Sequence, residues 1–558
     1  MKKHLFWLAA LAVVALASCA KEGLDEGGIK TDGSTENTNG LTTVKLASFA
    51  GDASRVTYPA ETRAFETPAP GTLKLVAEIE NPSWTDSSFS KEEGGRYMSA
   101  TSIYYNETEK RYYVTYHMQG NNYNTTLDTD TAGAIDSFTI EETTDADGKR
   151  DITVTPAKGF RAANPKEWDF DFNHIYFDNT DQRILAMGHN VKGGKRENTQ
   201  AIVGVFNPTS GEYKYAPVRT NVKEYDENGK SLGYTDAGDV NSILRPGDKH
   251  SMGSGWNFYL LATRKGLAAV KANESNLFEP VLDADGKNYF IPTPGSAKSI
   301  IQGTATSYFG MLYLSEDTSK KTEAYETNSE AKIAHFAINT TTGDMLRSLM
   351  TPTAAPFEVP FLPDITAPSQ DANDIVAMSG QTDLPAVISP IDGKNTLFAI
   401  PWFSDEEYYA ALGTSGLYYH FKGNITNKVF EGVRKFGNRP VNNVYADKEV
   451  TGEGVYSEDD VNKERRIGHD GFLYVANGSK LTVLHRHTME ELASWNMPKD
   501  ENGDDIASSA NFITVTSGPV GENGLSERTI AVAFGQAGVK IFKFMPAPKT
   551  VWERDIID

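Results

Sequence analysis

Two acidic residues and a histidine lie close together in the segment Trp168-Asp-Phe-Asp-Phe-Asn-His174, and residues of these types can perform acid–base chemistry. Asp169 and Asp171 flank Phe170, so in a strand both carboxylates project from one side, with His174 nearby. Paired carboxyl groups about 5–9 Å apart suit hydrolysis of a glycosidic bond. The same alternation of apolar and polar residues is also typical of the start of an ordinary strand, so both interpretations remain open.

A second candidate site consists of aromatic residues near predicted loops, which are Trp256, Trp402, Tyr408 and Tyr409. Aromatic rings offer flat apolar faces on which a sugar ring can stack. Aromatic residues are plentiful here, with 27 Phe, 25 Tyr and 7 Trp, so a role in core packing is the alternative. We treat the four as candidate contacts for a glycan ligand.

Metal-binding motifs are incomplete in this sequence. The segments Asp145-Ala-Asp-Gly148, Asp283-Ala-Asp-Gly286 and Asp226-Glu-Asn-Gly229 begin like a calcium loop, but no glutamate occupies the twelfth position. Asp-Gly and Asn-Gly pairs are what tight hairpin turns require, so we predict turns. His485 and His487 would project from one side of a strand, but no third ligand follows nearby. We therefore predict no metal and no cofactor.

The only cysteine, Cys19, follows Leu16-Ala-Ser18 at the end of an apolar run that starts at Leu5. The basic start Lys2-Lys-His4 makes this run typical of a secretory signal peptide. The run is shorter than the roughly 20 residues that a helix needs to span a bilayer. A leucine and two small residues before a cysteine resemble the bacterial lipobox, which implies cleavage before Cys19 and acylation of the new N-terminus. An ordinary signal peptide with a chance cysteine is the alternative.

Composition limits the possible partners. The chain of 558 residues has a net charge of −21, which repels nucleic-acid phosphates and anionic membrane surfaces, so we predict no nucleic-acid partner. The acyl group on Cys19 would be the only membrane contact. Residues 20–44 are polar and rich in Gly, Thr and Asn, which predicts a flexible tether. The segments Lys21-Glu22 and Asp25-Glu26 are similar to the short acidic tags that direct some Gram-negative lipoproteins to the cell surface.

The strands that would position these candidate residues belong to a β-hairpin that recurs along the chain. An alternating strand, a glycine-bearing turn and a second alternating strand recur along the chain. Glycine suits these turns because the favoured hairpin turns need positive φ. The copies with short turns are Leu260–Val270, Ala411–Phe421, Leu473–Leu484 and Ile530–Phe542, and those with longer middles are Tyr112–Thr139, Ile184–Phe206 and Met311–Ile338.

Short strands precede some hairpins, at Thr101–Tyr105 and His174–Phe177, and an Asn-x-Thr-x-Gly-like turn follows two others, at Asn207–Gly211 and Asn339–Gly343. The unit is then four antiparallel strands, repeated about seven times. This pattern predicts an all-β chain folded as a β-propeller of seven four-stranded blades. Uneven unit lengths leave six or eight blades open, and two stacked β-sandwiches are the alternative fold.

The hairpin Tyr474-Val-Ala-Asn-Gly478, with Leu481 and Val483, is similar to the blades of bacterial propellers with LVIVD- or YVTN-type repeats. The resemblance extends over about residues 72–545 and implies a surface lipoprotein with a propeller body. We therefore predict a signal peptide at 1–18, a lipidated tether at 19–71, a propeller at 72–546 and a tail at 547–558. Leu73–Ile79 is expected to close the ring as the outer strand of the last blade, with Thr550–Arg554 as a rival.

The insertions follow a pattern in this scheme. In a four-stranded blade, the connections from second to third strand share one end with the connections between blades, and we call it the loop-rich end. The insertions assigned to this end are Gln119–Asp136, Val191–Thr199, Glu316–Glu330, Asn221–Gly238 and Pro352–Ile375, whereas Ala446–Arg466 falls at the opposite end. Enlarged loops on one end of a scaffold often carry binding function, although loop length also drifts at little cost.

These observations predict a lipid-anchored protein of the outer membrane, on the cell surface, that binds a glycan or protein ligand without catalysis. The main alternative is an extracellular polysaccharide hydrolase or lyase with acids near the propeller axis. No Gly-x-Ser-x-Gly elbow or His-Glu-x-x-His motif supports hydrolysis by a serine or zinc enzyme. A third possibility is a subunit of a surface or fimbrial assembly, for which Arg55 and Arg63 would be processing sites.

Overall fold

The chain forms several antiparallel β-sheets, and within the described residues it contains one turn of 3-10 helix and no α-helix. The computed structural model describes residues 42–44, 50–59, 65, 67–82, 98–118, 133–162, 170–178, 180–191, 199–245, 258–272, 278–283, 285–293, 296–302, 308–316, 329–337, 387–388, 398–399, 409–413, 416–420, 432–435, 441–446, 472–485, 491–499, 510–520 and 526–546. No helix in these ranges is long and apolar enough to cross a bilayer.

The N-terminal segment adds strands to sheets built elsewhere in the chain. Its elements are β1 (Thr42–Val44), the 3-10 turn Ala53–Arg55, β2 (Val56–Thr57) and β3 (Thr72–Ile79). The predicted tether at 19–71 therefore overlaps the sheets from Thr42 onwards, while the part of it before Thr42 lies outside the described residues.

The first two four-stranded sheets follow in chain order. One consists of β4 (Met98–Asn106), β5 (Arg111–Met118), β6 (Ala134–Thr144) and β7 (Arg150–Arg161). The next consists of β8 (Phe170–Asp178), β9 (Arg183–Val191), β10 (Thr199–Phe206) and β11 (Tyr213–Pro217), with β1 paired to β11 at its edge. A separate hairpin of β12 (Arg219–Tyr225) and β13 (Ser231–Asp236) leads to the third sheet.

The third sheet contains β14 (Val240–Leu244), β15 (Phe258–Thr263), β16 (Gly266–Ala272), β17 (Phe278–Pro280) and β18 (Phe290–Pro292), and β17 and β18 both pair with β16. The later strands are β19 (Ala297–Gln302), β20 (Tyr308–Glu316) and β21 (Ser329–Ala337), then β22 (Val387–Ile388), β23 (Phe398–Ala399), β24 (Tyr409–Gly413), β25 (Gly416–His420) and β26 (Gly432–Lys435). The last are β27 (Val441–Ala446), β28 (Phe472–Asn477), β29 (Lys480–His485), β30 (Glu491–Asn496), β31 (Phe512–Val520), β32 (Ser526–Ala533) and β33 (Val539–Met545).

The predicted hairpins are confirmed by strand pairing. Each of the seven predicted copies corresponds to two neighbouring antiparallel strands, namely β5–β6, β9–β10, β15–β16, β20–β21, β24–β25, β28–β29 and β32–β33. The predicted upstream strands lie within β4 and β8, each of which pairs with the first strand of its hairpin. The turn at Asn207 is also confirmed, because its Oδ1 accepts hydrogen bonds from the backbone N–H groups of Thr209 and Ser210.

The hydrophobic core lies between successive sheets. One cluster combines Tyr113 of the first sheet with Phe172 and Tyr213 of the second, and another combines Tyr176 of the second with Tyr259 of the third. Phe172 and Tyr213 meet edge to face with ring centroids 5.1 Å apart, a geometry that adds to the gain from burial. The sheets are therefore stacked face against face along the chain.

The first and last sheets also meet, although they are far apart in sequence. β3 pairs with β33, as expected for Leu73–Ile79, while Thr550–Arg554 lies outside the described residues. Ala100 N donates a 2.9 Å hydrogen bond to Gly535 O. Across the same seam, the Arg150 guanidinium donates two hydrogen bonds of 2.6 Å to the Glu527 carboxylate. The two ends of the chain are thus joined by backbone pairing and by a bidentate ion pair.

The strand registers define the loop-rich end in the first three sheets. Met98 pairs with Met118, Phe170 with Asn190 and Val240 with Thr263, so each first strand begins where the second strand ends. The first two sheets also meet there, because Gly133 N donates a 2.8 Å hydrogen bond to Phe170 O.

Candidate functional site

At the loop-rich end, the imidazole of His189 lies between two carboxylates. His189 Nε2 is 3.0 Å from Asp171 Oδ2, and His189 Nδ1 is 3.2 Å from Asp239 Oδ1. The side chains are partly buried, with exposed fractions of 22% for His189, 14% for Asp171 and 21% for Asp239. Ionisable groups that converge in a partly shielded surface position are candidates for a functional site.

Two strands and a connection bring these groups together. Asp171 near the start of β8 and His189 near the end of β9 are direct cross-strand partners, so their side chains project from the same face of the second sheet. Asp239 comes from the residues that lead into β14 of the third sheet. Gly188 allows the close approach of the strands, because a Cβ at this position would lie 1.9 Å from Asp171 O.

Two further residues complete the group. Asn173 Nδ2 donates hydrogen bonds of 2.8 Å to Asp239 Oδ1 and 3.1 Å to Val240 O, which fixes the carboxylate that faces His189. His117, near the end of β5, lies close enough for the charges of the other groups to act on its ring. We call His117, Asp171, Asn173, His189 and Asp239 the His189 cluster.

The two histidines of the cluster hold protons differently. Burial opposes the charged form of His189, but the carboxylates of Asp239 and Asp171 raise its pKa well above the ordinary value. Burial lowers the pKa of His117, and the nearby His189 adds to this effect although both carboxylates oppose it. At neutral pH we therefore expect an imidazolium at His189 between two carboxylates and a neutral imidazole at His117.

The structure separates the residues of the first sequence candidate. Asp171 lies in the His189 cluster, whereas the His174 ring is fully buried, with Nδ1 3.2 Å from Ser102 Oγ and its ring 5.3 Å from that of Phe512. Asp169 lies outside the described residues. The two residues differ in depth along β8, because Asp171 pairs with His189 near the end of β9 whereas His174 pairs with Met187 further inside the sheet.

The other candidates fall largely outside the described residues. Cys19, Trp256, Trp402 and Tyr408 lie outside them, and Tyr409 opens β24 without a described side chain. His487 is outside as well, and of His485 only the backbone at the end of β29 is described.

The Asp-Gly and Asn-Gly segments form turns, as predicted. Asp145 Oδ1 accepts hydrogen bonds from the backbone N–H groups of Asp147 and Lys149, and Asp226 and Asp283 make the equivalent pairs. Gly148 has φ 81°, in the left-handed region that favours glycine. In the ranges that the structure describes, no three His, Cys, Asp or Glu side chains are grouped to hold a metal ion.

The sequence interpretation missed His117, His189 and Asp239. His189 lies in a hairpin that is predicted from its apolar residues, so its polar side chain does not stand out. Asp239 follows Gly238 in a connection between two sheets, where a polar residue is ordinary. A polar residue directly opposite Asp171 across a predicted hairpin was the available signal for His189. Nothing local in the sequence relates Asp239 to either residue, because they meet only through the contact of two sheets.

A second charged group lies at the opposite end of β8. Asp178 is fully buried, and its Oδ2 is 2.6 Å from Arg245 Nη1 and accepts a hydrogen bond from the Tyr259 hydroxyl. Arg245 also contacts Asp181 at 2.7 Å. Arg183 also contacts Asp181, at 3.1 Å, so two carboxylates face two guanidinium groups at the contact between two sheets, and we treat this group as structural.

Comparisons with known proteins do not identify a function for this chain. No protein-family model matches the chain, and no curated protein matches it. Among solved structures, the crystal structure of the Saccharomyces cerevisiae Sqt1 is similar with a TM-score of 0.36 and 10% sequence identity, covering 84% of this chain and 100% of that chain. A likeness this low transfers neither a detailed fold nor a function.

Proposed function

We propose that this protein is exported, anchored to the outer membrane by acylation of Cys19, and exposed on the cell surface, where it binds an extracellular ligand at the loop-rich end. Anchoring is supported by the lipobox-like residues before Cys19. Binding at this end is supported by the His189 cluster, which unites residues of the first and second sheets with the residue that precedes β14 of the third. Loops and strand ends of a rigid scaffold are common places for binding sites.

The body that supports this site is proposed to be a β-propeller of seven blades. In support, seven hairpins each have at least one further strand in the same sheet, and the first strands of neighbouring sheets contact each other at β31–β4, β4–β8, β8–β14 and β14–β19. The pairing of β3 with β33 supports closure of a ring. A ring of sheets leaves short protected edges, which suits a chain without disulfides.

Binding without catalysis fits the cluster better than hydrolysis. Glycoside hydrolysis requires two carboxyl groups that face the scissile bond from two sides. Here Asp171 and Asp239 both face the ring of His189. Carboxylates held in place by a fixed cation are suited to accept hydrogen bonds from ligand hydroxyl or N–H groups.

Anchoring is tested by metabolic labelling with a fatty-acid probe. The wild-type chain is expected to incorporate the probe and to sediment with outer membranes. Cys19→Ala is expected to lose both properties, whereas an exposed control, Thr209→Ala, keeps them. Soluble release of the wild-type protein without label would contradict the anchor.

Ligand binding is tested on an array of surface glycans and, in parallel, with extracted outer-membrane proteins. Asp239→Asn and His189→Gln are expected to weaken binding about tenfold or more, since each removes a charged hydrogen-bonding group. Asp285→Asn, whose side chain is 77% exposed in a distant turn, serves as the control. Release of oligosaccharide products by the wild-type protein would replace the binding proposal with the enzymatic alternative.

A further inference from the structure

We propose that the loop-rich end faces the membrane that carries the protein's own lipid anchor, so that the His189 cluster serves a protein partner embedded in that same membrane. This inference rests on the proposed anchoring at Cys19. It adds an orientation and a kind of partner that the proposed function leaves open.

The register of β1 carries the argument. Thr42 pairs with Tyr215 and Val44 with Tyr213, so β1 runs antiparallel to β11. β11 runs towards Pro217, where the chain passes into the connection between the second and third sheets. The chain that comes from Cys19 therefore reaches the folded body at the loop-rich end.

The length of the connecting chain favours one orientation. The 22 residues 20–41 separate Cys19 from β1. The flexible tether that the sequence predicts for these residues would have a root-mean-square span of about 25 Å and a fully extended length of about 75 Å. β8 has 9 residues, so the sheets are about 30 Å tall, and turning the opposite end to the membrane would require the chain to run back over that height.

The surface at this end fits a protein better than a lipid surface. The chain carries a net charge of −21, which disfavours contact with anionic headgroups. The β12–β13 hairpin has its base at the loop-rich end, where Ala237 N donates a hydrogen bond to Val218 O, and it exposes Val222 at 58%, Tyr225 at 59% and Leu232 at 39%. Exposed large apolar side chains on an element that starts at this end are typical of protein–protein contact surfaces.

The experiment measures energy transfer from single labelled cysteines to an acceptor dye on lipid headgroups, with the acylated full chain in outer-membrane lipid vesicles. Arg264→Cys places the label in the β15–β16 turn at the loop-rich end, and Thr209→Cys places it in the β10–β11 turn at the opposite end. Transfer is expected to be severalfold more efficient from position 264. Equal transfer, or stronger transfer from position 209, overturns the orientation.

A variant with a longer tether tests whether tether length causes the difference in energy transfer. Insertion of about 40 Gly/Ser residues after Ser34 is expected to remove most of the difference, because the longer coil no longer restricts which end approaches the membrane. A difference that survives the insertion overturns the tether as its cause. Failure of the chain to join vesicles at all overturns the anchor and with it this inference, so the two failures are distinguishable.

The partner is tested with a photo-crosslinking residue at position 264 or 209 and purified outer-membrane proteins in vesicles. Adducts are expected from position 264 only when both proteins share a vesicle, and they should fall at least tenfold in Asp239→Asn. Adducts that form equally between separate vesicles would instead indicate a receptor on another cell. Binding of a glycan alone, without a protein adduct, also overturns the partner while leaving the proposed function intact.

Discussion

At the scale of single residues, His189 is a positive charge enclosed by negative ones. Its two ring nitrogens face different carboxylates, so the imidazolium is stabilised from both sides despite burial. A group whose pKa is higher in the folded state contributes stability that is complete below its unfolded pKa and is lost as the pH rises through its folded pKa. The protonation of His189 is therefore coupled to folding.

We expect the wild-type protein to lose stability relative to His189→Gln as the pH rises from about 6 to 9. The lost contribution is the attraction between the imidazolium and the carboxylates of Asp171 and Asp239, while His117 faces the same group and stays neutral. Thermal unfolding of both proteins across this range measures the difference. A difference that does not change with pH would show that His189 is neutral in the folded protein.

Asp236 is a carboxyl group whose charged form is disfavoured by burial, whereas the charged form of His189 is favoured by its neighbours. Burial raises its pKa to about 6, although hydrogen bonds from the backbone N–H groups of Ala201 and Gly238 favour the carboxylate. A raised folded pKa of an acid means that its stabilising contribution is present at low pH and is lost as the pH passes through 6.

Asp236→Asn is expected to stabilise the protein by about 1 kcal/mol at pH 7.5, because the amide keeps an acceptor for both N–H groups without the buried charge. The gain should shrink as the pH falls from 7 to 4, where the wild-type carboxyl is protonated. Urea unfolding at several pH values measures it, with the exposed variant Asp285→Asn as a control. A constant gain at all pH values would contradict the raised pKa.

At the scale of elements, the N-terminal segment acts as a brace along the outer strands. Tyr58 OH accepts a 3.0 Å hydrogen bond from Val154 N, and Phe65 exchanges backbone hydrogen bonds with Arg150. The Arg55 guanidinium donates a 2.8 Å hydrogen bond to Asp136 Oδ2 and another to Glu80 O. Arg161 contacts the other oxygen of Asp136, and despite burial the two guanidinium groups lower the pKa of that carboxyl.

The surroundings of Arg55 bear on the fimbrial alternative. Its side chain is only 12% exposed and is paired with Asp136, so proteolysis after Arg55 would have to break this contact. Arg63 lies outside the described residues. The structure therefore gives processing at Arg55 no support.

Arg55→Ala is expected to destabilise the protein by about 2–4 kcal/mol, because it removes one partner of a buried ion pair and leaves Asp136 less compensated. Lys271→Ala serves as the control, since its ion pair with Glu279 is about half exposed and should contribute less than about 0.5 kcal/mol. Chemical denaturation of both variants gives the comparison. Equal effects would mean that the brace contributes nothing beyond a surface contact.

At the scale of the whole molecule, strand pairing joins an early part of the chain to its last described strand. β3 supplies a strand to the sheet of β31, β32 and β33, and the ion pair between Arg150 and Glu527 connects that sheet to β7. Lys543 contacts Glu142 at 2.7 Å and Glu527 at 3.3 Å, which extends the same network. These contacts hold the two sheets together although their strands are far apart in the sequence.

A disulfide between Thr72→Cys and Met545→Cys, in a Cys19→Ser background, should form on oxidation, since these positions are direct cross-strand partners. It closes a loop of nearly the whole folded chain and is expected to stabilise the protein by about 3 kcal/mol. The reduced double mutant is the control for the substitutions themselves. Absence of the bond under oxidising conditions would contradict the pairing of β3 with β33.

The seven hairpins could be predicted from the sequence, which also favoured Leu73–Ile79 over its rival Thr550–Arg554 as the strand added to the last of them. Such a prediction is possible because strands and tight turns depend on residues that are close together in the sequence. Period-two alternation marks the strands, and glycine marks the turns. The identity of the Asp-Gly segments as turns was local in the same way.

Which polar residues meet depends on how the sheets pack against one another. Asp171 and His174 share one strand, yet Asp171 lies near its start, opposite His189, while His174 lies further inside the sheet and is fully buried. Asp239 joins them from another sheet, and β1 enters from the end that carries the cluster. The meeting of these residues and the entry point of β1 depend on strand register and on contacts between residues far apart in the sequence. A local sequence pattern therefore cannot predict them.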